Sequence, residues 1–229
     1  METKKTFSDV VTWNEVMVEK YDPEAYHLHS PLPIRLIEKM RVGAVLEAVQ
    51  SPSDSSILEI GCGAGNVMER LRDAKRFGVD LSFRMAARSR ERLKNRIVVL
   101  QADGQRLPFS SNAFDGILCT EVLEHVENPD LVLEEICRVA KPQARIALSV
   151  PNENLINRLK YWIFRLKINR FLSGRRYQIP EQMDDEWHLH IFDLKDLLQQ
   201  LSPKFRIKKV TPIPSPLLPL RYVIACTPR

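Results

Sequence analysis

Short apolar runs alternate with stretches of helical period through the middle of the chain. Ile57-Leu58-Glu59-Ile60, Arg76-Phe77-Gly78-Val79, Ile97-Val98-Val99-Leu100, Phe114-Asp115-Gly116-Ile117-Leu118-Cys119 and Arg145-Ile146-Ala147-Leu148-Ser149-Val150 are short and mostly apolar, which predicts parallel strands covered on both faces. Between them, Val67 and Leu71 predict a short helix, and Met85, Ala86 and Leu93 a second that opens at Leu81-Ser82. Leu131, Val132, Ile136 and Val139 predict a third, from about Pro129 to Val139. Strand and helix in alternation is the pattern of a doubly wound α/β sheet. Upstream, Ile34, Ile37, Val45, Leu46 and Val49 predict a helix that Ser51-Pro52-Ser53 breaks, so residues 1–50 read as an N-terminal helical arm. Downstream, Leu194, Leu197, Leu198 and Leu201 predict an amphipathic helix. Two strands follow, at 205–211 and 221–227, and the proline-rich stretch 212–219 is expected to join them without pairing.

The first strand closes on Gly61-Cys62-Gly63-Ala64-Gly65. Three glycines at alternate positions permit left-handed backbone and keep side chains away from a ligand lying against the turn. A dinucleotide fingerprint needs glycine at position 66, where this chain has Asn66, and that argues against a Rossmann oxidoreductase. The Gly-Lys-Ser/Thr ending of a phosphate-cradling loop is also missing. Asp80 ends the second strand, where an acid can accept hydrogen bonds from both hydroxyls of a ribose. The competing reading makes it a cap for the helix that follows. Asp103, past the third strand, is the candidate acceptor for the exocyclic amine of an adenine.

With Leu107-Pro108-Phe109, Phe114-Asp115 and Glu121-Val122-Leu123-Glu124-His125-Val126, these residues resemble in order and spacing the class I S-adenosylmethionine-dependent methyltransferases of small-molecule type, including the ubiquinone-biosynthesis O-methyltransferases. The resemblance covers roughly residues 55–152. It implies one methyltransferase domain over 1–229, a Rossmann-like α/β fold with seven mostly parallel strands in the order 3-2-1-4-5-7-6, the last antiparallel, and a helical lid inserted at 151–190. It also implies S-adenosylmethionine as cofactor, bound by Glu59, Gly61, Gly63, Asp80, Leu81, Asp103, Gly104 and Thr120. Arg35, in Pro33-Ile34-Arg35, is similar to an arginine that meets the cofactor's carboxylate in the ubiquinone group. One departure is Lys141-Pro142-Gln143-Ala144, where the family has Lys-Pro-Gly-Gly; it bears on the turn there, not on the cofactor site.

Charge changes the picture in one segment. Of the net +5, residues 151–180 carry a local +6 through Arg158, Lys160, Arg165, Lys167, Arg170, Arg175 and Arg176 against Glu153, which leaves the rest near −1. The basic pI is therefore not that of a nucleic-acid-binding protein. Leu155, Ile156, Leu159, Trp162, Ile163 and Leu166 share one helical stripe there, with Arg158, Lys160, Arg165 and Lys167 mostly off it. This stripe reads as a lid packed on the domain, or as an interfacial helix within 154–176 that meets anionic membrane and a lipid-like acceptor. A groove for RNA is the least favoured reading, because Asp184-Asp185-Glu186 would repel phosphates. The absence of a long apolar window or signal core leads us to expect a cytoplasmic protein, and the four scattered cysteines to expect reduced core thiols.

Methyl transfer requires alignment of donor and acceptor and, for a hydroxyl or amine, a group that accepts a proton. His125, at the tip of the fourth strand, is the candidate base. A sharper alternative makes Glu121, Glu124 and His125 a divalent-metal cluster, as the resemblance to the ubiquinone-biosynthesis O-methyltransferases and to the small-RNA 3′-terminal 2′-O-methyltransferases implies, the latter adding a later histidine, here His188 or His190. The expected function is methyl transfer to a small-molecule or lipid-like acceptor at oxygen. The alternatives are metal-dependent RNA 2′-O-methylation and a nucleoside-binding partner subunit without turnover.

Overall fold

The computed structural model describes residues 7–22, 24, 30–50, 52–71, 74–167 and 187–229. Its strands are β1 (Ser56–Ile60), β2 (Lys75–Asp80), β3 (Val98–Gln101), β4 (Phe114–Thr120), β5 (Ala140–Pro151), β6 (Phe205–Ser215) and β7 (Leu218–Pro228), and they form one sheet in the order β3-β2-β1-β4-β5-β7-β6. β1 pairs in parallel with β2 on one side and β4 on the other, and β7 runs antiparallel to both β5 and β6. After β3 the chain crosses back to the far side of β1. That reversal opens a crevice at the carboxyl ends of β1 and β4, the place where such sheets take ligands.

Among the described residues, six α-helices frame the sheet: α1 (Phe7–Tyr21), α2 (Leu32–Ala48), α3 (Phe83–Leu93), α4 (Pro129–Val139), α5 (Glu153–Arg165) and α6 (Leu194–Leu201). Four of them start on side chains that accept an otherwise orphaned backbone N–H: Ser82 from Met85, Asn128 from Asp130, Asn152 from Leu155 and Asp193 from Lys195. Adjacent residues of the strands serve opposite faces. Leu58, Ile60 and Ile117 pack with Val132, Leu133 and Ile136 of α4 and with Leu197 and Leu201 of α6. Ile57, Leu118 and Ala147 pack with Val42, Val45 and Val49 around α2. This two-sided burial is why the central runs read as continuously apolar.

Three expectations are corrected. The helix after the glycine turn is a single 3-10 turn, Met68–Arg70, because the backbone at Leu71 is already extended on its way to β2. Lys141-Pro142-Gln143-Ala144 makes no separate turn. It lies inside β5, at an irregularity where Phe114 pairs with Ala140 and Gly116 with Arg145, and Lys141 Nζ sits 2.7 Å from Asp115 Oδ1. The proline-rich link does pair: β6 and β7 continue to Ser215 and from Leu218, with Pro212 opposite Tyr222 and Pro214 opposite Pro219. β6 is the edge strand, where a residue without an N–H costs little pairing. All four cysteines are free thiols, and three are buried. No helix among the described residues is long and apolar enough to cross a membrane.

Candidate active site

A cavity of about 620 Å³ opens at the carboxyl ends of the central strands. Glu59, Gly61, Gly63, Asp80, Leu81, Asp103, Gly104, Thr120 and His125 all line it, although they come from four different strand ends. Gly61 and Gly63 have φ of +69° and +51°, and a Cβ on Gly61 would lie 2.3 Å from Val122 Cγ2. The turn is thus closed to side chains where β1 meets the loop after β4.

Asp80 ties that turn to the tip of β2. One carboxylate oxygen accepts from Gly63 N at 2.7 Å and the other from Ser82 N at 2.9 Å. The helix cap itself is Ser82, so Asp80 is not consumed as a cap. Burial pushes its carboxyl up to about 6 despite those two N–H groups. Glu59 is buried, and its Oε2 has no hydrogen-bond partner. Burial pushes it up to about 8, with Arg41 pulling it down and Asp80 adding to the rise. Asp103 Oδ1 accepts from Gln105 N at 2.8 Å, which holds the loop after β3 against the cavity.

Arg35 is exposed and stands off the α2 face that meets the cavity; Ile34, Ile37, Glu38 and Arg41 form that face. Arg41 and Glu38 are buried, and with Arg221 of β7 they make a charged floor. Arg41 Nε donates to Glu38 Oε2 at 3.0 Å, and Arg221 Nε lies 3.0 Å from both Glu38 Oε1 and Glu121 Oε2. Ser149 Oγ donates to Glu121 Oε1 at 2.8 Å, which completes the set. Glu121 holds a left-handed φ of 54°, a strained conformation for a non-glycine residue of the kind that gathers at functional sites. Glu38, Arg41 and Arg221 were not legible as site residues. The i,i+3 spacing of Glu38 and Arg41 hints at a pair, but nothing in the sequence says that both are buried.

Around the motif after β4 the side chains separate. His125 Nδ1 lies 3.0 Å from the Trp187 carbonyl, and its ring stands 4.6 Å from the indole and 4.7 Å from the His188 ring. Burial and His188 push its pKa down to about 3, which leaves a neutral wall and a weak base. His188 pairs instead with Glu153 Oε1, and His190 with the Val126 carbonyl. Among the described residues no three His, Cys, Asp or Glu side chains come together as a metal site. On α5, Ile156 and Lys160 line the cavity. Lys160 is buried, contrary to its expected place off the apolar stripe, whereas Trp162 and Leu166 are exposed at 56% and 61%. Arg170, Arg175, Arg176 and Asp184-Asp185-Glu186 lie outside the described residues, as does most of the proposed lid beyond α5.

The sheet order, the glycine turn and the acids at successive strand tips define a nucleoside-cofactor site on a methyltransferase-like sheet. The family profile described as a methyltransferase domain matches residues 58–148. The chain is 28% identical over 131 residues to the ubiquinone biosynthesis O-methyltransferase of Dechloromonas aromatica, covering 53% of this chain and 55% of that one. It is 33% identical over 105 residues to the sterol 4-C-methyltransferase strm-1 of Caenorhabditis elegans, covering 43% and 31%. These matches span about half or less of the relatives' own length. Among solved structures, a SAM-dependent methyltransferase from Thermotoga maritima superposes with a TM-score of 0.64 at 19% identity, covering 96% of this chain and 100% of that one. One from Aquifex aeolicus gives 0.59 at 16%, covering 94% and 98%. Residues 58–148 thus match a methyltransferase domain, and the whole fold is similar to that of S-adenosylmethionine-dependent methyltransferases; the cofactor this likeness implies is S-adenosylmethionine.

The residues present fit that cofactor. The glycine turn leaves room against the backbone, and the orphaned Glu59 oxygen offers a buried acceptor to a hydroxyl or ammonium group.

Proposed function

We propose that this protein transfers the methyl group of S-adenosylmethionine to a hydroxyl oxygen of a small, lipid-like acceptor. The observation that carries the reading is the joining of two unlike halves in one cavity. The glycine turn with Glu59, Asp80 and Asp103 forms the polar half, and Trp13, Val18, Tyr21, Ile37, Ile156 and Leu220 furnish an apolar one. Similarity to ubiquinone and sterol methyltransferases supports an acceptor with a large apolar body. When bound, S-adenosylmethionine supplies an electrophilic methyl on a cationic sulfur. Gly61 and Gly63 admit it to the backbone, Asp80 takes its ribose, Asp103 and the adjoining Gly104 take its base, and Leu81 and Thr120 complete the wall. Arg41, rather than Arg35, is the α2 cation within reach of this site.

The test is methyl transfer from labelled S-adenosylmethionine to 4-alkylcatechols of increasing chain length. O-methylated product that forms faster with longer chains supports the reading. Methylation confined to nitrogen or to RNA overturns it.

The outward face of α5 is the second part of the proposal. Tyr161, Trp162 and Leu166 are exposed beside Arg158, Arg165 and Lys167, a composition that suits an anionic lipid surface. Flotation with anionic but not neutral vesicles is expected, and Trp162→Glu should abolish it. Failure of the wild type to float at low salt leaves α5 as a cavity wall alone. We place the protein in the cytoplasm, where its cysteines stay reduced.

A further inference from the structure

We propose that the cavity mouth carries a membrane-docking rim, in which the tip of the β6–β7 hairpin and the first turns of α2 enter an anionic bilayer together with the outward face of α5. The inference rests on the lipid-like acceptor proposed above and deepens it: the acceptor passes from bilayer to cavity without crossing water. The register of the sheet sets the geometry. β7 runs antiparallel to β5 with Arg221 opposite Pro151, the last residue of β5, so the hairpin tip from Ser215 to Leu220 overshoots the carboxyl end of the sheet, where the cavity opens. Leu220 still lines the cavity, whereas Leu217, at the tip, is 96% exposed.

Two further elements reach the same end. α2 lies along β6 in the opposite sense: Glu47 pairs with Lys209, and Glu38 with Arg221, which stands opposite Ile213. The helix from Glu47 to Glu38 and the strand from Lys209 to Ile213 each span about 13 Å, so one further step of that size brings the hairpin tip level with the start of α2. There Leu32, Leu36 and Met40 recur every four residues as an exposed row, which lies around the helix between the cavity-facing Ile37 and the basic Arg35 and Lys39. α5 is tied to the same place. Asn152, its cap, donates its N–H to the Leu220 carbonyl and its side-chain amide to the Pro219 carbonyl, both at 2.9 Å.

Single exposed leucines are ordinary; three elements that present apolar side chains around one cavity mouth are not. Charge names the occupant. The only acids in 31–46, 152–167 and 212–222 are Glu38 and Glu153, and both are buried. Arg35, Lys39, Arg158, Arg165 and Lys167 are exposed. Apolar tips set among exposed cations, with the acids of all three segments withdrawn, complement an anionic lipid surface, where leucine and tryptophan enter the acyl boundary and lysine and arginine meet the headgroups. The hairpin tip also suits lipid through its backbone. Pro214, Pro216 and Pro219 have no N–H to strand there, and the two strands pair with each other up to Ser215 and Leu218.

Vesicle measurements on the full chain, without cofactor or acceptor, test the rim. Leu217→Cys carrying the environment-sensitive dye NBD should brighten and shift to the blue on vesicles of phosphatidylglycerol and phosphatidylcholine, and not on phosphatidylcholine alone. Wild type taken through the same labelling corrects for the half-buried Cys137. In flotation with the mixed vesicles, Leu217→Glu should lower the partition coefficient by roughly 10-fold or more, the loss that follows from keeping one leucine out of the bilayer. Lys39→Glu should lower it by roughly 5-fold or more. Both side chains are exposed, so neither change should shift the denaturation midpoint or the affinity for S-adenosylmethionine. Equal flotation of wild type, Leu217→Glu and Lys39→Glu overturns the rim and leaves α5 as the lipid contact. A wild type that does not float overturns it as well; a dimer in sedimentation velocity that Leu217→Glu dissociates would then show that a second copy of the chain covers the rim. Neither result bears on the oxygen chemistry, which the catechol assay reads in solution without vesicles, so the two failures are distinguishable.

Discussion

At Gly61 one hydrogen decides whether the site exists. A methyl group there would meet Val122 Cγ2 at 2.3 Å on a backbone already at positive φ. Gly61→Ala is expected to cost about 1–3 kcal/mol through overpacking and strain and to remove measurable cofactor binding, checked by urea denaturation and calorimetry. Arg221 works through charge. It is the cation shared by Glu38 and Glu121, and Arg221→Met leaves both carboxylates without it in a largely buried site. Breaking such a network by removing one partner costs about 3–5 kcal/mol, so a large drop in the denaturation midpoint should follow. A midpoint within error of the wild type would mean that Arg41 alone balances the floor. Gly61 and Asp80 were readable because each belongs to a local spacing. Arg221 was not, because its partners lie on α2 and beyond β4.

Among the elements, α1 is held differently from the rest. Its Val18 packs on Ala64 and Met85, and Tyr21 stacks on Trp187 at 5.9 Å, so one face closes the cavity. On the other side an acidic row meets a basic row of α3. Glu15 accepts from Ser82 Oγ at 2.9 Å, Glu19 and Asp22 pair with Arg84 and Arg88, and Glu24, just beyond α1, pairs with Arg88 and Arg92. These pairs are partly exposed, and each is worth no more than about 1 kcal/mol and is screened by salt. At 1 M salt α1 should therefore become more sensitive to limited proteolysis, while the sheet core stays resistant. Arg88→Ala should produce the same pattern at low salt. The basic spacing of Arg84, Arg88 and Arg92 is visible in the sequence as a helix face. That it faces acids of the arm depends on where α1 packs.

For the whole molecule, buried carboxyl groups link stability to pH. The Glu59 and Asp80 pKa values, about 8 and about 6, lie above the ordinary carboxylate range near 4, so between those values the folded protein holds protons that the unfolded chain has lost. Their contribution to stability is full below about pH 4 and is lost as the pH rises through about 6 for Asp80 and about 8 for Glu59. The midpoint of thermal unfolding of the free protein should thus fall between pH 5 and 8.5, and Glu59→Gln should flatten the upper part of that fall. S-adenosylmethionine carries a cationic sulfur, so its affinity should rise over the same window. An affinity independent of pH would mean that neither carboxyl ionises on binding. The alternation of strands and helices, the glycine turn and the cofactor class were determined by the sequence alone, because periodicity and short spacings are local properties of a chain. Several matters fell to the tertiary structure: Arg41 rather than Arg35 at the cavity, Lys160 buried, His188 paired with Glu153, and prolines inside an edge strand. Each depends on which elements meet and on how much water their contact excludes, and residues as far apart as Glu38 and Arg221 carry no signal of that until the chain has folded.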